Sequence, residues 1–481
     1  QLHNILGFTI VFDTTENLYC TDFTARIYNG TTLLNTFTIT GNSKTEYMID
    51  TPLNDFNKIE VEFVKTSQVH NRVHVFGFAF GLIKTFTNDQ LMDGMTQDTA
   101  VNPISTELPT VQLDFSIDNY DGSYNPDNPA SIYECLQQEQ AVTLSYGYDT
   151  GNGIEWLKGG RYYLFDWNVP ANKQTASFTA KSLLEFMQQT YTKGVYNPEG
   201  TTLYDLATTV LLDAGIPKGS DGANPWILDS SLKTIKTTAP LPPKTHRELL
   251  QLIANAGMCV LFVDRDGKIN IAPALDEQTD YYLGLDNAAA YPENTLSTPL
   301  QEVDIKIYSF LQDTATSDIC SGTFAIFGTQ TIHIDFADSP AVNLTAAVTA
   351  GTLVSASYYT YSCDLIITAS GSVAIALTGY KLTVSSSTIS YVKNSSGEIC
   401  PVDNPIITDA TNAVNVSHWI ADYLDLRRTY TEDYRGDPAL DAGDIIAIQT
   451  QYTASLNARI LESVIKFSDS LSGTLTLKGM S

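Results

Sequence analysis

Apolar side chains recur at every second position over much of this chain. Near its start, Ile59, Val61 and Phe63 alternate with Glu60 and Glu62, and Phe23, Ala25 and Ile27 keep the same spacing. A period of two with one wet side predicts half-buried antiparallel strands. Asn29-Gly30 and Gly41-Asn42 supply turns between them. Residues 1–82 therefore read as a β-sandwich. The chain enters it already inside a strand, so part of the sandwich is expected to be missing.

The same alternation returns over residues 83–181. Val111, Leu113, Phe115 and Ile117 form one apolar side, as do Val142, Leu144, Tyr146 and Tyr148. Tyr163, Phe165 and Trp167 follow, then Ala176, Phe178 and Ala180. Four strands with one greasy face predict a barrel or sandwich. Over 182–275 the period changes. Leu203, Leu206, Ala207, Val210, Leu211 and Ala214 make one stripe of a helix that Gly215 stops. Thr245 and Glu248 form a capping box ahead of Leu249, Leu250, Ile253 and Ala254. A hairpin with Asp266-Gly267 at its turn completes a small α+β unit. Residues 276–481 return to strands, among them Val303, Ile305 and Ile307. One helix interrupts, with Val416, Trp419, Ile420, Tyr423 and Leu424 on one side, and a hairpin pairs Ile460–Phe467 with Thr474–Lys478. Between 311 and 400 only 8 of 90 residues are charged. That drop marks an elaborated or inserted β segment, with Val373, Ile375 and Leu377 at strand spacing.

Composition narrows the functional classes. The 481 residues suffice for three or four domains of ordinary size. No apolar run has the length of a membrane span, and no signal peptide is visible at the start. Acids outnumber bases 54 to 27, a net charge of −27. Nucleic-acid affinity comes mostly from Lys and Arg, so a phosphate-gripping surface is disfavoured. Cys20, Cys135, Cys259, Cys320, Cys363 and Cys400 have no C-x-x-C spacing. They read as buried reduced thiols, with a Cys320–Cys363 or Cys363–Cys400 bridge left open.

Candidate chemistry is sparse. The stretch "DNYDGSYNPDNP" at 118–129 echoes a calcium loop. With Gly122 at the sixth position, however, Ile117 falls at the first and Asn128 at the twelfth, where the ion needs carboxylates. The stretch reads as a turn in which Asn and Asp bond their own backbone and Pro126 and Pro129 stiffen the exit. "RGD" at 435–437, followed by Pro438, reads as a turn before the last strands rather than an adhesion tripeptide. His70 and His74 share one face of an expected strand, without a third ligand for zinc. Trp156, after a Gly-rich loop, offers a sugar-stacking surface, against the reading of tyrosines and tryptophans as core or interface residues. No G-x-S-x-G, H-E-x-x-H or Walker loop occurs. We assign no catalytic, cofactor-binding or metal-binding residue and expect no enzyme activity.

Two stretches carry a family resemblance. "LPTVQLDFSIDNYDGSYNPDNPASIYECLQQEQAVTLSYGYDTGNGIEWLKGGRYYLFDW" resembles the first tube domain of phage tail-tip hub proteins, and "WIADYLDLRRTYTEDYRGDPALDAGDIIAIQT" resembles their final part. "THRELLQLIANAGMCVLFVDRDGKINIAP" fits their middle helical unit. The N-terminal sandwich looks like jelly-roll or discoidin folds that bind carbohydrate in some tail proteins.

The resemblance implies a mostly β, multidomain chain with a small α+β unit. A β-sandwich over 1–82 would precede two related β-barrel tube domains, 83–181 and 276–481, the second carrying the 311–400 elaboration. The α+β unit over 182–275 would lie between them. It further implies a baseplate hub in the virion: a homotrimer whose six barrels continue the hexameric tail tube and close its distal end. Its partners would be the tail tube, distal tail and tape-measure proteins, with DNA only in transit and the host cell-wall saccharide as a candidate ligand. Two other readings stand beside it: a carbohydrate-binding adhesin and a cell-wall hydrolase. Many members of the family carry a C-terminal lytic or fibre domain, and no such segment follows the last hairpin here.

Overall fold

The computed structural model describes residues 2–480 apart from 6, 14–17, 81–83, 129–130, 134–135, 152, 171–173, 217–222, 275–277 and 337–339. These residues are mostly β with three α-helices. None of the three is long and apolar enough to cross a membrane.

The N-terminal strands are β1 (Phe8–Phe12), β2 (Cys20–Asn29), β3 (Thr32–Ile39), β4 (Glu46–Ile49), β5 (Lys58–Thr66) and β6 (Val75–Phe80). They form two sheets, β4-β1-β6 and β3-β2-β5, and the short strands His3–Ile5 and Leu53–Phe56 pair antiparallel as a third. The alternating side chains meet between the first two: Phe12 packs edge-on against Phe23, and Phe23 edge-on against Tyr47. This is the expected sandwich, and none of its described strands pairs with a later one. The expected strand face bearing His70 and His74 is absent. The chain leaves β5 at Thr66 and His70 takes a φ of 64°, a left-handed conformation that interrupts a strand. His74 instead meets Asp13, Nδ1 to Oδ2, at 3.1 Å.

Five strands follow: β7 (Leu91–Ala100), β8 (Thr110–Asp118), β9 (Ala141–Asp149), β10 (Ile154–Asn168) and β11 (Thr175–Lys181). Their order in the sheet is β9-β10-β11-β8-β7. The small unit after them holds α1 (Leu203–Asp213), β12 (Trp226–Leu228), α2 (His246–Ala256), β13 (Val260–Val263) and β14 (Ile269–Ala272). The capping box forms as its sequence predicts: Thr245 N–H donates to Glu248 Oε2 at 2.9 Å, and Glu248 N–H to Thr245 Oγ1. Gly257 ends α2 where a Cβ would lie 2.4 Å from Leu232.

The last third begins with β15 (Gln278–Leu283) and β16 (Glu293–Leu296). A long excursion comes next: β17 (Leu300–Asp335), β18 (Ala341–Thr349), β19 (Thr352–Tyr358), β20 (Ser362–Val392), β21 (Glu398–Val402) and α3 (Ala410–Asp425). The chain closes with β22 (Arg428–Tyr434), β23 (Ile445–Ile448), β24 (Leu456–Ser468) and β25 (Ser470–Gly479).

Unbent, the 36-residue β17 would reach on the order of 120 Å. It is folded over. Phe336 N–H donates to Tyr361 O and Ala341 N–H to Thr360 O, yet Leu382 N–H donates to Pro340 O. One short stretch thus touches both ends of the 361–382 run. The β17–β20 ribbon reverses where Ile326 pairs with Gly371 and Gly328, at φ 80°, pairs with Ala369. Its two halves close on Ile326, Leu365, Ile367, Val373 and Ile375 as a small second sandwich. The ribbon's base, Val303 and Ile305, packs with α1, α2 and α3 in the largest core of the molecule.

Candidate functional site

Five strands of the last third stand in the order β23-β24-β25-β22-β16, with β15 parallel beside β23. Numbered by chain order within each set, both this set and β9-β10-β11-β8-β7 run third, fourth, fifth, second, first, so each strand of the first set has its counterpart in the second. Every neighbouring pair in both sets is antiparallel. Both sets also carry a bulge at the same place. The register of β10 on β11 slips between Leu164 and Asp166, opposite Ala180 and Thr179. That of β24 on β25 slips between Ile460 and Glu462, opposite Leu477 and Thr476. Aligning the bulges sets Ser177-Phe178-Thr179-Ala180-Lys181 against Thr474-Leu475-Thr476-Leu477-Lys478. Polar, apolar, Thr, apolar, Lys is a legible echo that strand-by-strand periodicity passed over.

The two sets are one sheet. β7, the last strand of the first set, pairs antiparallel with β24 of the second, from Ala100 opposite Glu462 to Met95 opposite Phe467. Just past β7, Val101 N–H donates to the carbonyl of the bulge residue Leu461 at 2.9 Å. The turn at 264–267 clamps this junction from the small α+β unit. Arg265 Nε lies 3.0 Å from Asp441 Oδ2, and its guanidinium also donates to Ala439 O, Leu440 O and Lys158 O. Lys158 bonds Asp266, and Gly267 lies against Arg161, where a Cβ would stand 3.2 Å away. One hairpin turn therefore holds both halves.

One face of the shared sheet is apolar, carrying Leu113, Met95, Phe178, Ile465, Leu475 and Leu477. The opposite face is rich in hydroxyls and carboxylates. Thr179 Oγ1 donates to Asp114 Oδ1 at 2.6 Å, and Gln112 Nε2 to Asp114 Oδ2 at 2.6 Å. Ser116 and Ser177 bond each other at 2.8 Å. In the second half Thr474 donates to Asp433 and Thr476 to Glu462. Asp98 sits at the junction, where burial, then Glu462 and Asp114, push its carboxyl above the usual range. This wall is acidic at its centre and offers a polyanion few places to bind.

The other candidates disperse. In 118–128, Asp118, Asn119, Asp121 and Asn125 accept hydrogen bonds from nearby backbone N–H groups at 2.9 Å, as a chain turn requires. Pro129 lies outside the described residues. Arg435-Gly436-Asp437 turns against the sheet, with Gly436 at φ 76° and its Cα so close to Ser472 that a Cβ would stand 2.9 Å from its carbonyl. Trp156 is exposed beside Ile154, over Gly147, near the tip of the β9–β10 hairpin, and Tyr148 is exposed on its other face. His246 is buried, its ring nitrogens 2.7 Å from Gln189 O and 3.0 Å from Asp213, so it ties α2 to α1. His333 lies between Asp364 and Asp335 on the second sandwich, and the bond to Asp364 raises its affinity for protons. Among the described residues no three His, Cys, Asp or Glu side chains gather to share an ion. Cys20, Cys259, Cys320, Cys363 and Cys400 are all unbridged, and Cys135 lies outside the described residues.

No protein-family model and no curated protein matches this sequence. Solved structures similar to it include three tail proteins. The 43 kDa tail protein of prophage MuSo2 from Shewanella oneidensis is 12% identical with a TM-score of 0.44, covering 80% of this chain and 93% of that one. A tail protein from Neisseria meningitidis MC58 is 10% identical with a TM-score of 0.42, covering 80% and 91%. Prophage tail protein gp18 from Listeria monocytogenes EGD-e is 9% identical with a TM-score of 0.41, covering 84% and 91%.

Proposed function

We propose that this chain is a non-catalytic structural component of a phage or prophage tail: a trimeric baseplate hub that closes the distal end of the tail tube. In this reading residues 83–181 and 276–481 are the paired tube units, 182–275 the connector between them, and 1–82 an appended sandwich. Three chains present six units, and the hydroxyl- and acid-rich face lines the channel through which DNA leaves. The observation that carries the reading is the repeated five-strand order within a single sheet. A unit that already pairs edge to edge with its own repeat is built for a ring. The tail tube, distal tail and tape-measure proteins are its partners, and the virion tail tip is its location.

Light scattering on the purified chain tests this. The reading predicts a particle of three times 52.7 kDa. A monomer at high concentration overturns it.

A second reading has its own observation. Phe76, Phe78 and Phe80 are exposed along edge strand β6 of the N-terminal sandwich, a stripe of aromatic faces suited to stacking on sugar rings. It predicts sedimentation with purified host cell walls that falls when the three are replaced by Ser. Unchanged sedimentation dismisses it.

A further inference from the structure

The junction inside the chain also specifies the junction between chains. Within one chain, β7 of the first half pairs with β24 of the second. The counterpart of β7 in the second half is β16, and the counterpart of β24 in the first is β10. Among the described residues β16 pairs with β22 on one side only, and all four of its residues are exposed. Beyond its bulge, β10 pairs with β11 on one side through Asp166, Trp167 and Asn168. Each chain thus has one free edge of each kind.

Side chains occupy the backbone groups of the free β10 edge. Gln138 Nε2 donates to Phe165 O at 3.0 Å, where the equivalent Leu461 O receives a backbone N–H from Val101. Trp167 N–H donates to the carboxylate of the preceding Asp166 at 2.9 Å. These are local substitutes for a strand, of the sort that protect a sheet edge until its partner arrives.

We propose that β16 of one copy pairs antiparallel with β10 of the next, Ser297 opposite Asp166, Leu296 opposite Trp167 and Thr295 opposite Asn168. The register follows from the bulge alignment, which makes Asp98, Thr99 and Ala100 the equivalents of Thr295, Leu296 and Ser297. Thr298 N–H then takes the place of Gln138 at Phe165 O. Leu296, 62% exposed in the single chain, covers the half-buried Trp167 on the apolar side of the sheet. Asn168 and Thr295 continue the wet face across the contact. Two different edges meet, so the contact is heterologous and propagates until a ring closes. The inference rests on the trimeric hub reading and adds to it the strands, the register and the direction of assembly.

Cysteines test it. Antiparallel partners stand about 4.5–5.5 Å apart at Cα, within reach of a disulfide. After mild oxidation N168C/T295C should give covalent dimers and trimers on non-reducing gels. Each single variant should give none, and an equimolar mixture of the two should give dimers and nothing larger. D98C/V464C, the same register at the internal junction, serves as the control and should close within its own chain. A trimer by light scattering that yields no covalent species, while the control closes, overturns the strand assignment and leaves the hub reading standing. A monomer overturns both.

Discussion

The two halves of the shared sheet follow one plan and differ in what they add to it. Between its first two strands, β7 and β8, the first half needs only residues 101–109. At the same connection, between β16 and β22, the second half carries 297–427, with the folded-over ribbon and α3. The connection leaves from the outer strand of the set, so chain can be added there without breaking a strand pair. The pairs themselves tolerate less. Phe115 stacks on Phe178 with ring centroids 5.3 Å apart. Their equivalents are Glu432 and Leu475. Glu432 is 2% exposed, its Oε2 finds no donor among the described residues, and burial pushes its carboxyl up to about 7. An aromatic stack in one half has become a strained carboxyl in the other.

The largest effect expected from breaking this comparison is at the stack. Phe178→Ala should cost about 4 kcal/mol, and Leu475→Ala about 3 kcal/mol, by cavity formation in each half. Denaturant titration checks both, and a loss below 1 kcal/mol at Phe178 would deny that the first half is packed as described.

Next comes Glu432. Its folded pKa lies above the ordinary 4.5. Below about 4.5 both folded and unfolded states are protonated and no penalty exists. As pH rises towards 7 the unfolded chain ionises first, so stability falls, by roughly 3 kcal/mol once the folded carboxyl has also ionised. Glu432→Gln should therefore be more stable than the parent at pH 8, and the two should converge near pH 4 when melting is followed at both. A variant less stable than the parent at pH 8 would show that the carboxylate has a partner.

Arg265→Ala removes the clamp across the junction. It should cost about 1–2 kcal/mol and separate the melting of the two halves in calorimetry, whereas an unchanged single transition would deny that Arg265 couples them. The smallest effect should come from Thr179→Val and Thr476→Val. Each loses one hydroxyl-to-carboxylate bond on the wet face, for about 0.5–1 kcal/mol, and equal losses would show that the two faces are equivalent.

Much of this plan was legible in the chain. Strands such as Val111–Ile117 and Ala176–Ala180 declare themselves because one face is buried and the other wet. Thr245 and Glu248 mark the start of α2 because their bonds are local. The low charge of 311–400 marks the insertion, although nothing local says that its ribbon doubles back at Gly328 and Gly371. What stayed hidden was non-local. Alternation tells which side of β7 is apolar but not that its outer edge meets β24, more than three hundred residues later in the chain. The echo between 177–181 and 474–478 was present, but five residues of alternating type stand out only once the strand order is known. His70 was misplaced because alternating apolar neighbours cannot reveal a left-handed φ.

The proposed ring of three chains rests on the repeated five-strand unit. Electron microscopy of the purified protein, viewed down its symmetry axis, tests that most directly. It should show threefold averages with six similar inner lobes around a channel and, outside them, the appended and the inserted sandwich of each of the three chains. Single lobed particles, or an assembly with twofold symmetry and no channel, would contradict it.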